Sequence, residues 1–183
     1  LYLPSSLKTI GEQAFRSCTG LLSVLLPSTL ENVGAHAFYR CTQLTVYSDA
    51  QSVPESWDTR WNSSFRPVML GCTLSEDGSY VVSVTINESL MLNVERLSES
   101  GDSAPVLGNN RFSSPSRRGY NFSGWTTQAD GTTPELTGSD IADLPEGTTL
   151  YTVWEVETEE PDDEEPGEGE IDWPWSDVPS LWS

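Results

Sequence analysis

Cys18, Cys41, Cys72 and His36 are the side chains of this chain that most readily do chemistry. A nucleophile needs a base in hydrogen-bond reach and a third group to orient that base. No Ser-His-acid or Cys-His motif surrounds His36, so no catalytic residue is assigned. The cysteines lack Cys-x-x-Cys spacing and have no histidine at ligand spacing, which argues against zinc. Glu76-Asp77-Gly78 and Asp130-Gly131 lack the alternating ligands of a calcium loop and read as turns. No metal and no cofactor are expected. Asn62-Ser63-Ser64, Asn87-Glu88-Ser89 and Asn121-Phe122-Ser123 match the glycosylation acceptor triplet, a pattern short enough to arise by chance. Exposed indoles can stack on sugars, but Trp125 and Trp154 alternate with polar residues in strand-like runs and are expected in a core.

The elements that position these residues repeat. Residues 1–23 and 24–46 align without a gap and share ten identities, from Leu3/Leu26 and Pro4/Pro27 to Cys18/Cys41 and Leu21/Leu44. The shared positions are apolar or small, and the differing ones, such as Lys8/Glu31 and Gln13/His36, are polar. Stacked coils of a solenoid require that split, because each coil buries only its inward residues against the next. Leu21, Val24 and Leu26 carry the spacing of a leucine-rich strand, with Ser23 and Leu25 outward. Pro27 ends the strand, Gly34 permits a bend, and Ala35 to Tyr39 is expected to make one helical turn. The inward set is Leu7, Ile10, Phe15, Cys18, Leu21 with Leu30, Val33, Phe38, Cys41, Leu44. Cys18 and Cys41 then act as buried apolar fillers. Coils about 5 Å apart also leave a disulfide open on distance. His36 is expected to be exposed. Two coils alone are expected to be marginally stable unless others precede Leu1. The opening Leu1-Tyr2-Leu3-Pro4 reads as mid-element and says nothing about secretion.

The repeat fails after residue 46, since Asp49 stands where an apolar residue is due. Trp57 and Trp61, four apart, are expected to share a helical face and cap the last coil over residues 47–71, with Pro67 to Gly71 as a closing strand. From Cys72 the pattern changes. Tyr80 to Ile86 is a β-run with Val82, Val84 and Ile86 on one face. Residues 98–118 are loop-like. Gly119 to Trp125 alternates aromatic and polar, Ser139 to Leu144 suggests one capped helical turn, and Thr149 to Glu155 is a last strand. Leu150, Thr152 and Trp154 share one face of it.

The chain has 28 acids against 9 bases, a net charge of −19. That excludes non-specific nucleic-acid binding, which needs cations for phosphates. Residues 155–183 hold 12 of the acids and no Lys or Arg, and are expected to form a disordered acidic tail from residue 156. No run approaches the ~18 apolar residues of a membrane span.

The two repeats, L-P-S-S-L-K-T-I-G-E-Q-A-F-R-S-C and L-P-S-T-L-E-N-V-G-A-H-A-F-Y-R-C, resemble the BspA-type leucine-rich repeat over residues 1–71. G-Y-N-F-S-G-W, then D-G-T and L-Y-T-V-W-E, resembles the internalin-type B-repeat, a small β-grasp-like module, over roughly 79–155 of a β-rich domain expected at 72–155. The resemblance implies a mainly β protein with short helical turns. It would be a non-enzymatic module of a bacterial surface or secreted protein. Partners would be a host or matrix protein or another surface protein, with a glycan or a purely structural stalk as the alternatives. Solenoids bind through extended sheet faces, and apolar neighbours outside mark such sites. Tyr2, Leu22, Leu25 and Ser48 are therefore the expected contact residues on the outward strand face.

Overall fold

The computed structural model describes residues 1, 3–87, 89–93, 113–136 and 144–158. Among them there is no helix; the fold is mainly β. Ten strands form three sheets: β1 (Thr9–Ile10), β2 (Ser23–Leu26), β3 (Asn32–Val33), β4 (Thr45–Ser48), β5 (Val68–Met69), β6 (Thr73–Leu74), β7 (Val81–Thr85), β8 (Met91–Leu92), β9 (Tyr120–Thr126) and β10 (Thr149–Val156).

The solenoid is built from β2, β4 and β5, which run parallel, and from the small parallel pair β1–β3. Register partners Thr9 and Asn32 are 23 residues apart. Leu25 and Tyr47, and Val46 and Val68, are 22 apart. The repeat therefore continues past residue 46 with one residue fewer, where a 23-residue count finds only Asp49. Ser48 pairs with Leu26 and takes the inward place. Asp49 lies just outside, where its carboxylate accepts from Ser28 N at 2.6 Å and Ser28 Oγ at 2.9 Å and so caps the turn after β2.

The expected helical turn at 35–39 is replaced by paired tight turns. Ala37 N, Tyr39 N and Cys41 N donate to Gly34 O, His36 O and Phe38 O, each three residues back. His36 and Arg40 have positive φ, as do their repeat partners Gln13 and Ser17. A left-handed residue every fourth position breaks an α-helix. The intervening donors go sideways: Gln13 N, Phe15 N and Ser17 N donate to Ala35 O, Ala37 O and Tyr39 O of the next coil. Lateral pairing satisfies the backbone that a helix would satisfy internally.

Inside, Phe15 stacks on Phe38 with centroids 5.3 Å apart and planes within 4°. Trp61 meets Phe38 edge-on at 6.2 Å, and Trp57 meets Trp61 at 5.0 Å. The two tryptophans pack together as expected but from successive turns, Trp57 N→Pro54 O and Trp61 N→Asp58 O, rather than a helical face. Burial differs sharply between coils. Leu30, Val33, Phe38, Cys41 and Leu44 are buried. In the first coil Ile10 is buried, whereas Leu7, Phe15 and Leu21 are half-buried and Cys18 is exposed. The expectation of a buried Cys18 is thus corrected. The reason is geometric: a neighbouring coil covers this layer on one side only among the described residues.

Strands β6, β7, β10 and β9, in that order, form an antiparallel sheet. Two bulges set its faces. Thr73 pairs with Ser83 and Leu74 with Val81, so Val82 is the extra residue on β7. The bulge shifts the alternation, so Val81 joins Val84 and Ile86 in the core and Val82 is half-buried, contrary to the expected 82/84/86 face. On β9 the break lies between the pairs Val153–Gly124 and Trp154–Phe122. Gly124 sits there at φ +149, with Pro134 Cβ 2.7 Å from where a Cβ would be. Trp125 and Leu150 are buried, while Trp154 is half-buried. β8 crosses the boundary expected at 71/72, pairing antiparallel with β5 at the edge of the solenoid sheet. Of the helical turn expected at Ser139–Leu144, residues 139–143 lie outside the described residues, as do residues 98–112 of the expected loop; of the tail expected from 156, Val156 ends β10 and residues 159–183 lie outside.

Candidate interaction surface

Strand alternation sends Val24, Leu26 and Val46 inward and Leu25, Tyr47 and Met69 outward. That outward row is not open. Tyr47 and Met69 are buried in a second core with Cys72, Val81, Val84, Ile86, Trp125 and Leu150, and Leu25 packs against it. The Tyr47 hydroxyl donates to Ser113 O at 2.6 Å, and Ser113 N donates to Thr45 Oγ1 at 2.9 Å. Burial pushes the Tyr47 phenol well above its ordinary range.

The expected contact residues therefore separate. Leu22 is exposed at 48 %. Leu25 is half-buried beneath the antiparallel sheet. Ser48 is buried on the inward side, because the 22-residue offset puts it opposite Leu26. Tyr2 lies outside the described residues. Tyr47 is the outward partner of Leu25 that a 23-residue count misses; a one-residue deletion in the third coil is the signal that locates it.

The turn edge of the coils is open instead. Tyr39 lies between two guanidinium groups, Arg16 at 5.6 Å and Arg40 at 5.4 Å from its ring centroid. Arg16 Nη1 donates to Gln13 Oε1 at 2.6 Å, which fixes its head. Arg40 N donates to Ser64 Oγ at 3.0 Å. His36, expected to be exposed, is half-buried: its Nδ1 lies 2.8 Å from Ser63 Oγ and its ring meets Tyr39 edge-on at 5.6 Å. Its left-handed backbone turns the ring along the ladder, which the sequence pattern does not reveal. The result is a Tyr–Arg strip on a body whose first 154 residues carry a net negative charge.

The indoles are placed differently. Trp57, Trp61 and Trp125 are buried. Trp154 donates Nε1 to Thr152 Oγ1 at 2.7 Å and meets Tyr80 and Phe122 edge-on. Arg117 stacks beside Tyr80 at 4.1 Å and Tyr120 at 3.7 Å, closing this aromatic group. Trp173, Trp175 and Trp182 lie outside the described residues.

Of the thiols, Cys41 and Cys72 are buried and Cys18 is exposed. Burial raises the Cys41 thiol and pushes Cys72 up to about 12. Cys41 Sγ donates to Phe15 O at 3.0 Å, and Cys72 Sγ to Met69 O at 3.3 Å.

Parallel strands at a 22- to 23-residue pitch, stacked over an aromatic ladder, define a leucine-rich solenoid region, here followed by a separate antiparallel sheet. Residues 1–66 match the family described as the BspA type leucine rich repeat region (6 copies). That is a repeat family, typically non-catalytic, found in bacterial surface proteins and generally associated with surface protein interactions. Nothing identifies residues 72–155 as an internalin-type B-repeat. No curated protein and no solved structure gives a match.

Proposed function

We propose that this chain is a non-enzymatic extracellular interaction module of a bacterial surface or secreted protein. The match of residues 1–66 to a repeat region of surface proteins carries this reading. A protein partner, from host or matrix or from another surface protein, is favoured over a glycan because, among the described residues, Trp57, Trp61 and Trp125 are buried and Trp154 is engaged internally. The antiparallel sheet, read as B-repeat-like, serves as the spacer beside the solenoid. It rests against the outward strand face, so the contact surface moves to the Arg16–Tyr39–Arg40 edge, with Leu22 as the exposed strand-face anchor among the described residues. Tyrosine and arginine are enriched among the residues that dominate interface energies, and two guanidinium groups favour an acidic partner surface.

The test is binding of the full chain to a panel of matrix and surface proteins, with a glycan array beside it. Binding that falls at least tenfold in an Arg16→Glu/Arg40→Glu variant, and weakens as salt rises, supports the assignment. Binding that survives this variant but fails in Leu22→Asp returns the site to the strand face. Glycan signal without protein binding overturns the protein-partner reading.

A further inference from the structure

Cys18 and Cys41 occupy the same place in successive coils. Three residues earlier, at Phe15 and Phe38, the coils stack with ring centroids 5.3 Å apart and planes within 4°. Lateral backbone bonds join the coils just before the cysteines, Phe15 N to Ala37 O at 2.8 Å and Ser17 N to Tyr39 O at 2.7 Å. Backbones paired in this way lie about 4.7–4.9 Å apart, inside the ~4.4–6.8 Å window of a disulfide's Cα atoms. Both cysteines also meet at one atom. The Cys18 amide donates to Phe15 O at 3.2 Å, and Cys41 Sγ donates to the same oxygen at 3.0 Å. The Cys41 sulfur is therefore already turned toward the first coil rather than away from it. The two thiols differ in access, Cys18 being exposed and Cys41 buried.

We propose that Cys18 and Cys41 are a redox pair, with Cys18 the entry thiol and Cys41 the resolving thiol, that closes to an inter-coil disulfide with a small-molecule disulfide as oxidant. The Cys18 thiolate attacks one sulfur of the oxidant, here glutathione disulfide, and expels one glutathione thiolate. The Cys41 thiolate then attacks the Cys18 sulfur of the mixed disulfide and expels the second. Two S–S bonds form in sequence and two break. The oxidant gains two electrons, and the protons of the two cysteines end on the released glutathiones.

The difference in access fits these roles. An exposed thiol beside a resolving cysteine is the arrangement of thiols that respond to oxidants. Burial raises the Cys41 thiol, which suits it to the second, resolving step rather than to entry. Cys72 sits apart in the second core and takes no part. This inference is independent of the proposed binding function.

The experiment uses the full chain, reduced, desalted and incubated with glutathione disulfide near pH 8. The expected result is a fall from three titratable thiols to one in denaturant, with a mass loss of about 2 Da and no retained glutathione. Trypsin cuts after Arg16, Arg40 and Arg60. Non-reduced digests should therefore yield peptide 17–40 linked to peptide 41–60, while Cys72 stays alkylatable. Cys18→Ser, a change at an exposed site, should leave two titratable thiols and form no link. Cys72→Ser should still form it. A stable glutathione adduct on Cys18 without closure, a Cys18-linked dimer, or three free thiols throughout would each overturn the proposal.

Discussion

Adding one methyl group at two equivalent glycines should have opposite effects. A Cβ on Gly34 would lie 2.5 Å from Glu12 N, 2.8 Å from Glu12 Cα and 2.8 Å from Gly11 C. Carbon contacts are comfortable at about 3.5–4.0 Å, so roughly 1 Å of movement is needed. The obstructing atoms are backbone, and no side-chain rotation relieves them. The movement would also pull on Gly34 N→Ile10 O, the 2.9 Å bond that ties the second coil to the first. Overpacking of this kind costs about 1–3 kcal/mol. Gly11 is the same residue one coil earlier, with nothing within 4 Å of its Cβ position and no left-handed φ. Alanine there restricts the unfolded chain and should stabilise by about 0.4–1 kcal/mol. The two variants should thus differ by roughly 1.5–4 kcal/mol, or about 3–15 °C in Tm for a chain of this size. Differential scanning calorimetry of the two single variants reads this directly. Equal melting temperatures would refute the reasoning. So would a loss at Gly11 as large as at Gly34, since that requires the far side of the first coil to be covered.

Phe38→Ala, removing a ring buried between Phe15 and Trp61, should cost about 3–5 kcal/mol by urea unfolding, and Phe15→Ala clearly less because that ring is half-buried. Lys8→Ala breaks an exposed 3.1 Å pair with Glu31 and should stay within about 0.5 kcal/mol by the same assay. Arg66 donates Nε to Leu44 O at 3.1 Å, and its guanidinium is buried with Nη2 unpartnered. Arg66→Leu should therefore raise the Tm, and a fall would show that Arg66 Nε→Leu44 O outweighs the buried charge. Cys72 holds its proton to about 12 when folded, against an ordinary value near 9. The unfolded thiol ionises first, so stability is undiminished below pH 9 and falls above it. The urea midpoint should decline from pH 9 to 10.5, less steeply in Cys72→Ala.

The apolar spacing gave away the solenoid because buried positions recur with it. Leu3, Leu7, Ile10 and Phe15 return as Leu26, Leu30, Val33 and Phe38. What the spacing hides is the third coil. One missing residue moves the inward place from Asp49 to Ser48, and the replacements are not leucines: Ser48 pairs with Leu26, and Arg66, at the same 22-residue offset from Leu44, is buried and bonded to its carbonyl. The turns are hidden for another reason. Ala35 to Tyr39 has the composition of a helical turn, and only backbone conformation at Gln13, Ser17, His36 and Arg40 turns it into a lateral ladder. Those positions favour glycine or asparagine, so nothing in their identity announces the left-handed state. Gly34 carries the opposite lesson. It reads as a bend, yet it is required by the close approach of Glu12.

The outward strand face shows why an exposed apolar row is an ambiguous signal. Leu25, Tyr47 and Met69 follow one another across three strands in the place where a solenoid would present a binding surface. The same row would serve as the floor of a second core, and strand alternation alone cannot separate the two uses. The discriminating sequence feature lies elsewhere, in the apolar positions of the following segment. Val81, Val84, Ile86, Trp125 and Leu150 form one apolar face of the second sheet, and a face of that size needs a cover. Within this chain the outward row is the cover at hand. The Arg16–Tyr39–Arg40 edge has no such complement among the described residues. Its side chains are charged or amphipathic, and they project from turns whose backbone donors are already taken, within the turn at Arg16 and Tyr39 and by Ser64 Oγ at Arg40. A surface whose backbone is satisfied and whose side chains remain outside is one that can accept a partner without disturbing the fold. On that argument the turns are the proposed place of recognition, and the outward strand row packs the second sheet against the solenoid.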